Sequence, residues 1–108
     1  HVEARVTATA AQRTVGILIF DDVEVLDFCE PFEVLATARP DGSTNADAPL
    51  FKVVTIAEAN RVIRCVGGLL VQPHHTIDNH PPLDILVVPG GQGPRTYYFY
   101  RALLRRIS

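Results

Sequence analysis

The chain has 108 residues, of which 47% are hydrophobic and 20% are charged, a balance typical of one modest globular domain rather than a disordered segment. Its formal net charge of −2 argues against a nucleic-acid-binding surface, and no apolar run is long enough to cross a bilayer. Two cysteines without a CxxC motif favour a reduced setting, so we expect a cytoplasmic protein.

The amino end, residues 1–14, shows no clear helical or strand period and no apolar core of a signal peptide. We predict that it is disordered or derived from a tag, and that the domain occupies residues 15–108. Because the chain contains no methionine, we also expect it to be a processed or trimmed piece.

The domain begins with a strand and a helix. Residues 15–20 (VGILIF) form a continuous apolar run, which predicts a strand buried on both faces and ended by Asp21 and Asp22. Apolar residues then recur every three to four positions, which predicts an amphipathic helix near residues 26–39. Residues 40–49 are rich in turn-forming types and predict a polar loop.

A second strand and a hairpin follow. Residues 51–57 (FKVVTIA) are apolar and β-branched, which predicts a strand. Gly67 and Gly68 separate two short apolar segments, 61–65 and 69–72, and this arrangement is typical of a β-hairpin.

The last part of the chain predicts a loop, a strand and a helix, at residues 73–82, 85–88 and 97–107. Alternating strands and helices open a doubly wound α/β fold with a mostly parallel sheet. Such sheets normally carry about five or more strands, so we expect this domain to be incomplete. The strand at 85–88 should then leave an apolar edge through which the chain associates.

The turn after that strand is the most informative stretch of the sequence. Gly90 and Gly91 follow the carboxyl end of the strand, where ligands bind in open α/β sheets. Their amides have no side chain beside them and suit an anion or a developing oxyanion, although a tight turn alone also explains two glycines. Arg95 is a candidate contact for a substrate carboxylate.

Other reactive residue types favour structural interpretations. Cys29 and Cys65 lack a strained turn and a neighbouring base, so we predict small buried side chains rather than nucleophiles. The histidines of the 73–82 loop lack zinc-ligand spacing, so no metal is expected. Residues 91–96 (GQGPRT) lack the third glycine of a dinucleotide fingerprint, so no cofactor is expected either.

Three separated blocks of the chain resemble the ThiJ/PfpI superfamily. They are VGILIFDDVEVLDFCEPFEVLATA at 15–38, VGGLLVQPHHTI at 66–77 and DILVVPGGQGPR at 84–95, and ALLRRI at 102–107 continues the likeness. This glutamine amidotransferase-like group includes the parkinsonism-associated deglycase, PfpI-type proteases, isonitrile hydratases and ligand domains of AraC-type regulators. The wording of the first block is most similar to isonitrile-hydratase-like members. The resemblance implies a flavodoxin-like domain, with this chain forming its first half to two-thirds.

The resemblance also implies a site. The family nucleophile is a cysteine on a strand-to-helix turn, which would lie beyond Ser108. Asp27, four residues before the helix proline, would be the acidic partner of that cysteine, and the amides of Gly90 and Gly91 would hold the oxyanion. The implied activity is cofactor-free, cysteine-dependent hydration or hydrolysis of a small molecule by a homodimer, with no nucleic-acid or membrane partner.

Two alternatives stay open, so the sequence alone leaves catalysis undecided. The same fold serves as the ligand-sensing domain of AraC-type transcription regulators. The chain could also be a degenerate, non-catalytic homologue, because Glu30 stands where close relatives carry glycine and adds a carboxylate near Asp27. An aspartate at a helix start also has an ordinary structural role, since it is favoured by the helix dipole.

Overall fold

The computed structural model describes residues 12–41 and 48–90. Within them the elements are, in chain order, β1 (Arg13–Leu18), α1 (Val25–Ala36), β2 (Phe51–Ala57), β3 (Ile63–Arg64), a 3₁₀ turn (Val66–Gly68), β4 (Leu70–Val71), β5 (His75–Thr76) and β6 (Ile85–Val87). None of the described helices is long and apolar enough to cross a membrane.

β1 lies inside a four-stranded parallel sheet with the order β5-β2-β1-β6. Val15 of β1 is opposite Val53 of β2 on one side and Ile85 of β6 on the other. A strand with two neighbours and two covered faces is apolar where it is buried, and β1 is apolar and buried from Val15 to Leu18. Strands β2, β1 and β6 lie side by side in that order, which is the 2-1-3 opening of a flavodoxin-like sheet. The predicted α/β fold is confirmed.

α1 covers one face of this sheet. Phe28 is its one buried residue, at 4% exposed, and Phe32 and Leu35 pack against the same cluster at spacings of four and three residues. That cluster also contains Val15 and Ile17 of β1. Burial of a side chain such as Phe28 contributes about 1.5–3 kcal/mol, so the helix is held mainly by its apolar face.

The opposite face of the sheet has its own core of Leu18, Ile56 and Ile77, with Leu83 packed against it. Gly16 makes this packing possible. A Cβ on Gly16 would lie 2.8 Å from both Cδ1 of Ile56 and Cδ1 of Leu83, closer than real carbon contacts. A residue without a side chain therefore lets Leu83 pack across β1.

Several predicted elements are confirmed and some boundaries differ. The strand at 51–57 is β2 with the same bounds, and the predicted hairpin is the antiparallel pair β3–β4, with Gly67 and Gly68 at positive φ. β1 begins at Arg13, two residues before the predicted start. α1 ends at Ala36 rather than at residue 39, and Thr37 closes it through an N–H donated to the carbonyl of Glu33.

The prediction of an uninterrupted loop at residues 73–82 was wrong. His75 and Thr76 form β5, which pairs in parallel with Ile56 and Ala57 of β2. A strand of two residues exists only through its neighbour, so no periodic pattern could reveal it. The rest of the amino end, residues 1–11, and the predicted helix at 97–107 lie outside the described residues.

Candidate functional site

Asp27 and Gly90 meet at the carboxyl edge of the sheet. Asp27 lies in the first turn of α1, which follows β1, and Gly90 lies just after β6, the neighbour of β1. A Cβ placed on Gly90 would lie 3.7 Å from Oδ2 of Asp27. The acid and the glycine turn, 63 positions apart in sequence, are therefore brought together at the edge where open α/β sheets bind ligands.

The start of α1 explains why Asp27 lies there. After β1 the chain turns through Asp22, which has a φ of 70°, and then Val23 is fully buried. Glu24 is the N-cap in an extended conformation, and the N–H of Asp27 bonds to its carbonyl at 3.1 Å. The carboxylate of Asp27 therefore lies at the positive end of the helix dipole, which favours its negative charge.

This edge is open to solvent. Asp27 and Gly90 are both exposed, whereas Pro89, just before Gly90, is buried and anchors the turn. Within the described residues, the Asp27 carboxylate is therefore accessible to solvent. Gly91 and Arg95, the other two predicted site residues, lie outside the described residues.

Glu30 is an exposed residue of α1, three positions after Asp27. Residues with this spacing are neighbours on a helix surface. The carboxylate of Glu30 therefore adds negative charge near Asp27 and is not turned into the core.

The two cysteines pack in the core, as predicted. Cys65 belongs to the buried cluster under α1, and half-buried Cys29 packs against that cluster. Burial raises the pKa of the Cys65 thiol, and the nearby Cys29 and Asp21 raise it further. Because the thiolate is the nucleophilic form, Cys65 is a poor candidate for covalent chemistry.

The histidine-rich segment has a structural role at the edge of β2. Nδ1 of His74 accepts the N–H of Thr55 at 2.9 Å, and the imidazole stacks on Phe32 with ring centroids 6.3 Å apart. The imidazole thus satisfies a strand N–H just before β5 begins. Among residues 12–41 and 48–90, no group of three or more histidine, cysteine or acidic residues could hold a metal ion.

Asp21, which ends the first apolar run in the sequence, has a tertiary role that this run does not indicate. Its Oδ1 accepts the N–H of Arg64 at 3.0 Å, and its Oδ2 pairs with Nη2 of Arg61 at 3.0 Å. These partners lie 40 and 43 positions away, so no local pattern indicated them.

The fold defines the class of this protein: the chain is an α/β protein with a flavodoxin-like, mostly parallel sheet. Residues 13–106 match the DJ-1/PfpI family, and the chain belongs to that family. The resemblance stated from the three sequence blocks is therefore confirmed.

Individual relatives agree with this assignment. The chain is 30% identical over 79 residues to isonitrile hydratase of Pseudomonas putida, covering 73% of this chain and 30% of that protein. The fold is similar to that of a ThiJ/PfpI family protein from Bacillus anthracis, with a TM-score of 0.65, 19% identity, and coverage of 90% of this chain and 47% of that one. A ThiJ/PfpI family protein from Pseudomonas syringae has a TM-score of 0.61 at 20% identity, with coverage of 75% and 30%.

Proposed function

We propose that this chain contributes the acid and the backbone amides of a site for cofactor-free, cysteine-dependent addition of water to a small electrophile, of the isonitrile hydratase kind. The observation that carries this proposal is the 3.7 Å between Oδ2 of Asp27 and the Cβ position of Gly90. The likeness to isonitrile hydratase supports the substrate class, and the chain spans 30% of the length of that protein.

Each group has a defined task in the proposed reaction. A cysteine thiol from outside the 108 residues gives its proton to the Asp27 carboxylate, and the resulting thiolate attacks the isonitrile carbon and forms a carbon–sulfur bond. The carboxyl group of Asp27 delivers a proton to the adduct, and the amide at Gly90 stabilises the negative charge that develops. Water then adds to the same carbon and the carbon–sulfur bond breaks, which returns the thiol. The balance is one isonitrile and one water to one N-substituted formamide.

The test is turnover of an aromatic isonitrile by the full-length protein as encoded, with formamide measured by chromatography. Asp27→Asn keeps the shape of the side chain but removes the acid, so we expect a loss of about 10²–10⁴-fold in kcat. Glu33→Gln, at an exposed carboxylate of the same helix, is the matched control and should stay within about twofold of the wild type. Full turnover in Asp27→Asn would exclude Asp27 as the acid.

A non-catalytic homologue is the second candidate, and the position of Glu30 favours it, because an exposed carboxylate three residues from Asp27 can repel an anionic adduct. In that case the wild type is inactive and Glu30→Gly restores turnover. If both are inactive but an isonitrile or methylglyoxal binds in calorimetry, a ligand-sensing function is the better account.

We also propose that the protein forms a homodimer. Exposed apolar side chains on α1 and on the β3–β4 hairpin support association, among them Leu26 and Leu70, which are 74% and 63% exposed. Sedimentation equilibrium of the full-length protein checks this, and a monomer at micromolar concentration would contradict it.

A further inference from the structure

One acidic side chain joins the turn between β1 and α1 to the β3–β4 hairpin. Oδ1 of Asp21 accepts the backbone N–H of Arg64 at 3.0 Å, and Oδ2 lies 3.0 Å from Nη2 of Arg61. A single carboxylate therefore binds both a backbone group and a side chain of the hairpin.

Backbone bonds flank this contact. The N–H of Asp22 donates to the carbonyl of Arg64 at 2.8 Å, and the N–H of Val66 donates to the carbonyl of Val23 at 3.1 Å. The Asp21 carboxylate completes a short ladder between the turn and the hairpin. Asp22 has a φ of 70°, a conformation that residues other than glycine seldom adopt and that surrounding contacts must maintain.

The helix itself does little to define where it starts. Glu24 occupies the N-cap position, but its side chain makes no capping hydrogen bond. The first turn of α1 is therefore located by the buried Val23 and by the attachments of the preceding turn to the hairpin. Asp27 lies in that first turn, so its distance from Gly90 depends on these attachments.

We propose that Asp21 is a positioning residue: by joining the hairpin to the turn before α1, it keeps the Asp27 carboxylate beside Gly90. Its role in turnover rests on the proposed function, whereas its role in placing Asp27 does not. Of the two contacts that Asp21 makes with the hairpin, the hydrogen bond to the Arg64 N–H is the one that holds the turn in place. The Arg61–Asp21 ion pair has side chains that are 57% and 40% exposed, and water screens such a pair.

Three substitutions separate the two contacts of the Asp21 carboxylate. Asp21→Asn retains an oxygen that can accept the Arg64 N–H, whereas Asp21→Ala removes it. Arg61→Gln removes the ion pair and leaves that hydrogen bond. We therefore expect Asp27 to stay in place in Asp21→Asn and Arg61→Gln and to move in Asp21→Ala.

The first measurement reads the placement directly in the full-length protein by NMR. Because the Asp27 carboxylate lies next to Gly90, Asp27→Asn should shift the Gly90 amide resonance. We expect this shift to persist in the Asp21→Asn and Arg61→Gln backgrounds and to fall by at least about half in Asp21→Ala, since the Coulomb effect of a charge falls with distance. An equal shift in all backgrounds would overturn the proposal. If Asp21 only stabilised the fold, Asp21→Ala would lower the folded population and leave the Gly90 shift of the folded molecules unchanged.

The second measurement is turnover of an aromatic isonitrile. Misplacing a reacting group by about 1 Å costs about 10²-fold, so Asp21→Ala should lower kcat by about 10-fold to 100-fold, with little further loss when Asp27→Asn is already present. Additive losses would overturn the proposal. If Asp27→Asn leaves turnover intact, the proposed function fails, while the Gly90 resonance still decides the positioning role. Should Asp21→Ala not fold, Asp21→Ser, whose hydroxyl is too short to reach the Arg64 N–H, takes its place in both measurements.

Discussion

Replacing Gly90 with alanine separates the stability of the fold from the chemistry of the candidate site. The added methyl carbon would lie 3.7 Å from Oδ2 of Asp27, an ordinary van der Waals contact. Among the described glycines only Gly67 and Gly68 have positive φ, so the φ of Gly90 does not disfavour alanine. Because alanine reduces the conformational entropy of the unfolded chain, we expect the free energy of unfolding to stay constant or rise by about 0.4–1 kcal/mol.

The same methyl group occupies the space that a substrate atom needs. It would lie between the Asp27 carboxylate and the backbone at Gly90, where the proposed reaction places the developing charge. The methyl group would keep the adduct from reaching the amide at Gly90, and losing the contact with one such donor costs about 10²–10³-fold in kcat, which is about 3–4 kcal/mol of transition-state stabilisation. We therefore expect Gly90→Ala to be folded, at least as stable as the wild type, and nearly inactive.

The assay pairs guanidinium denaturation with isonitrile turnover on the same preparations of full-length protein. An Asp27→Asn variant shows how much turnover is lost when the site is damaged directly. Turnover of Gly90→Ala within about twofold of the wild type would refute the assignment of this space to the site. A loss of unfolding free energy above about 2 kcal/mol would contradict the open contact between Gly90 and Asp27 described above.

Three further predictions concern the framework around the site. Gly16→Ala should lose about 1–3 kcal/mol of unfolding free energy in guanidinium denaturation, because its Cβ would lie 2.8 Å from Cδ1 of Ile56. Ile56→Val should recover part of that loss, and strict additivity would contradict the clash. His74→Ala should lose about 1–2 kcal/mol in the same assay by leaving the Thr55 N–H without its acceptor, whereas His74→Asn offers a carbonyl oxygen and should lose less. Burial raises the pKa of the Cys65 thiol above 9.0. The buried neutral thiol therefore contributes fully to the free energy of unfolding below that pH, and this contribution is lost as pH rises through the folded-state pKa. The free energy of unfolding should fall less between about pH 8 and about pH 10 in Cys65→Ala than in the wild type. An equal fall in both proteins would contradict the raised pKa of Cys65.

Local patterns in the sequence predicted most of the described elements. The bounds of β2 follow from an apolar, β-branched run that lies between Pro49 and Glu58, and the β3–β4 hairpin follows from two adjacent glycines. Asp27 is indicated only by the family resemblance, since an acid at a helix start is by itself an ordinary structural residue. The strand and the hairpin depend on neighbours within a few positions, and such information is present in a single chain.

Pairing between distant segments was decided by the tertiary structure. β5 exists because two residues meet the edge of β2, and Asp27 approaches Gly90 because β1 and β6 are neighbours in the sheet. Asp21 has its partners 40 and 43 positions further along the chain, on a hairpin that folds back onto the turn. Sequence periodicity reports which face of an element is buried, but it carries no record of which elements become neighbours, because that depends on how all of them share one core.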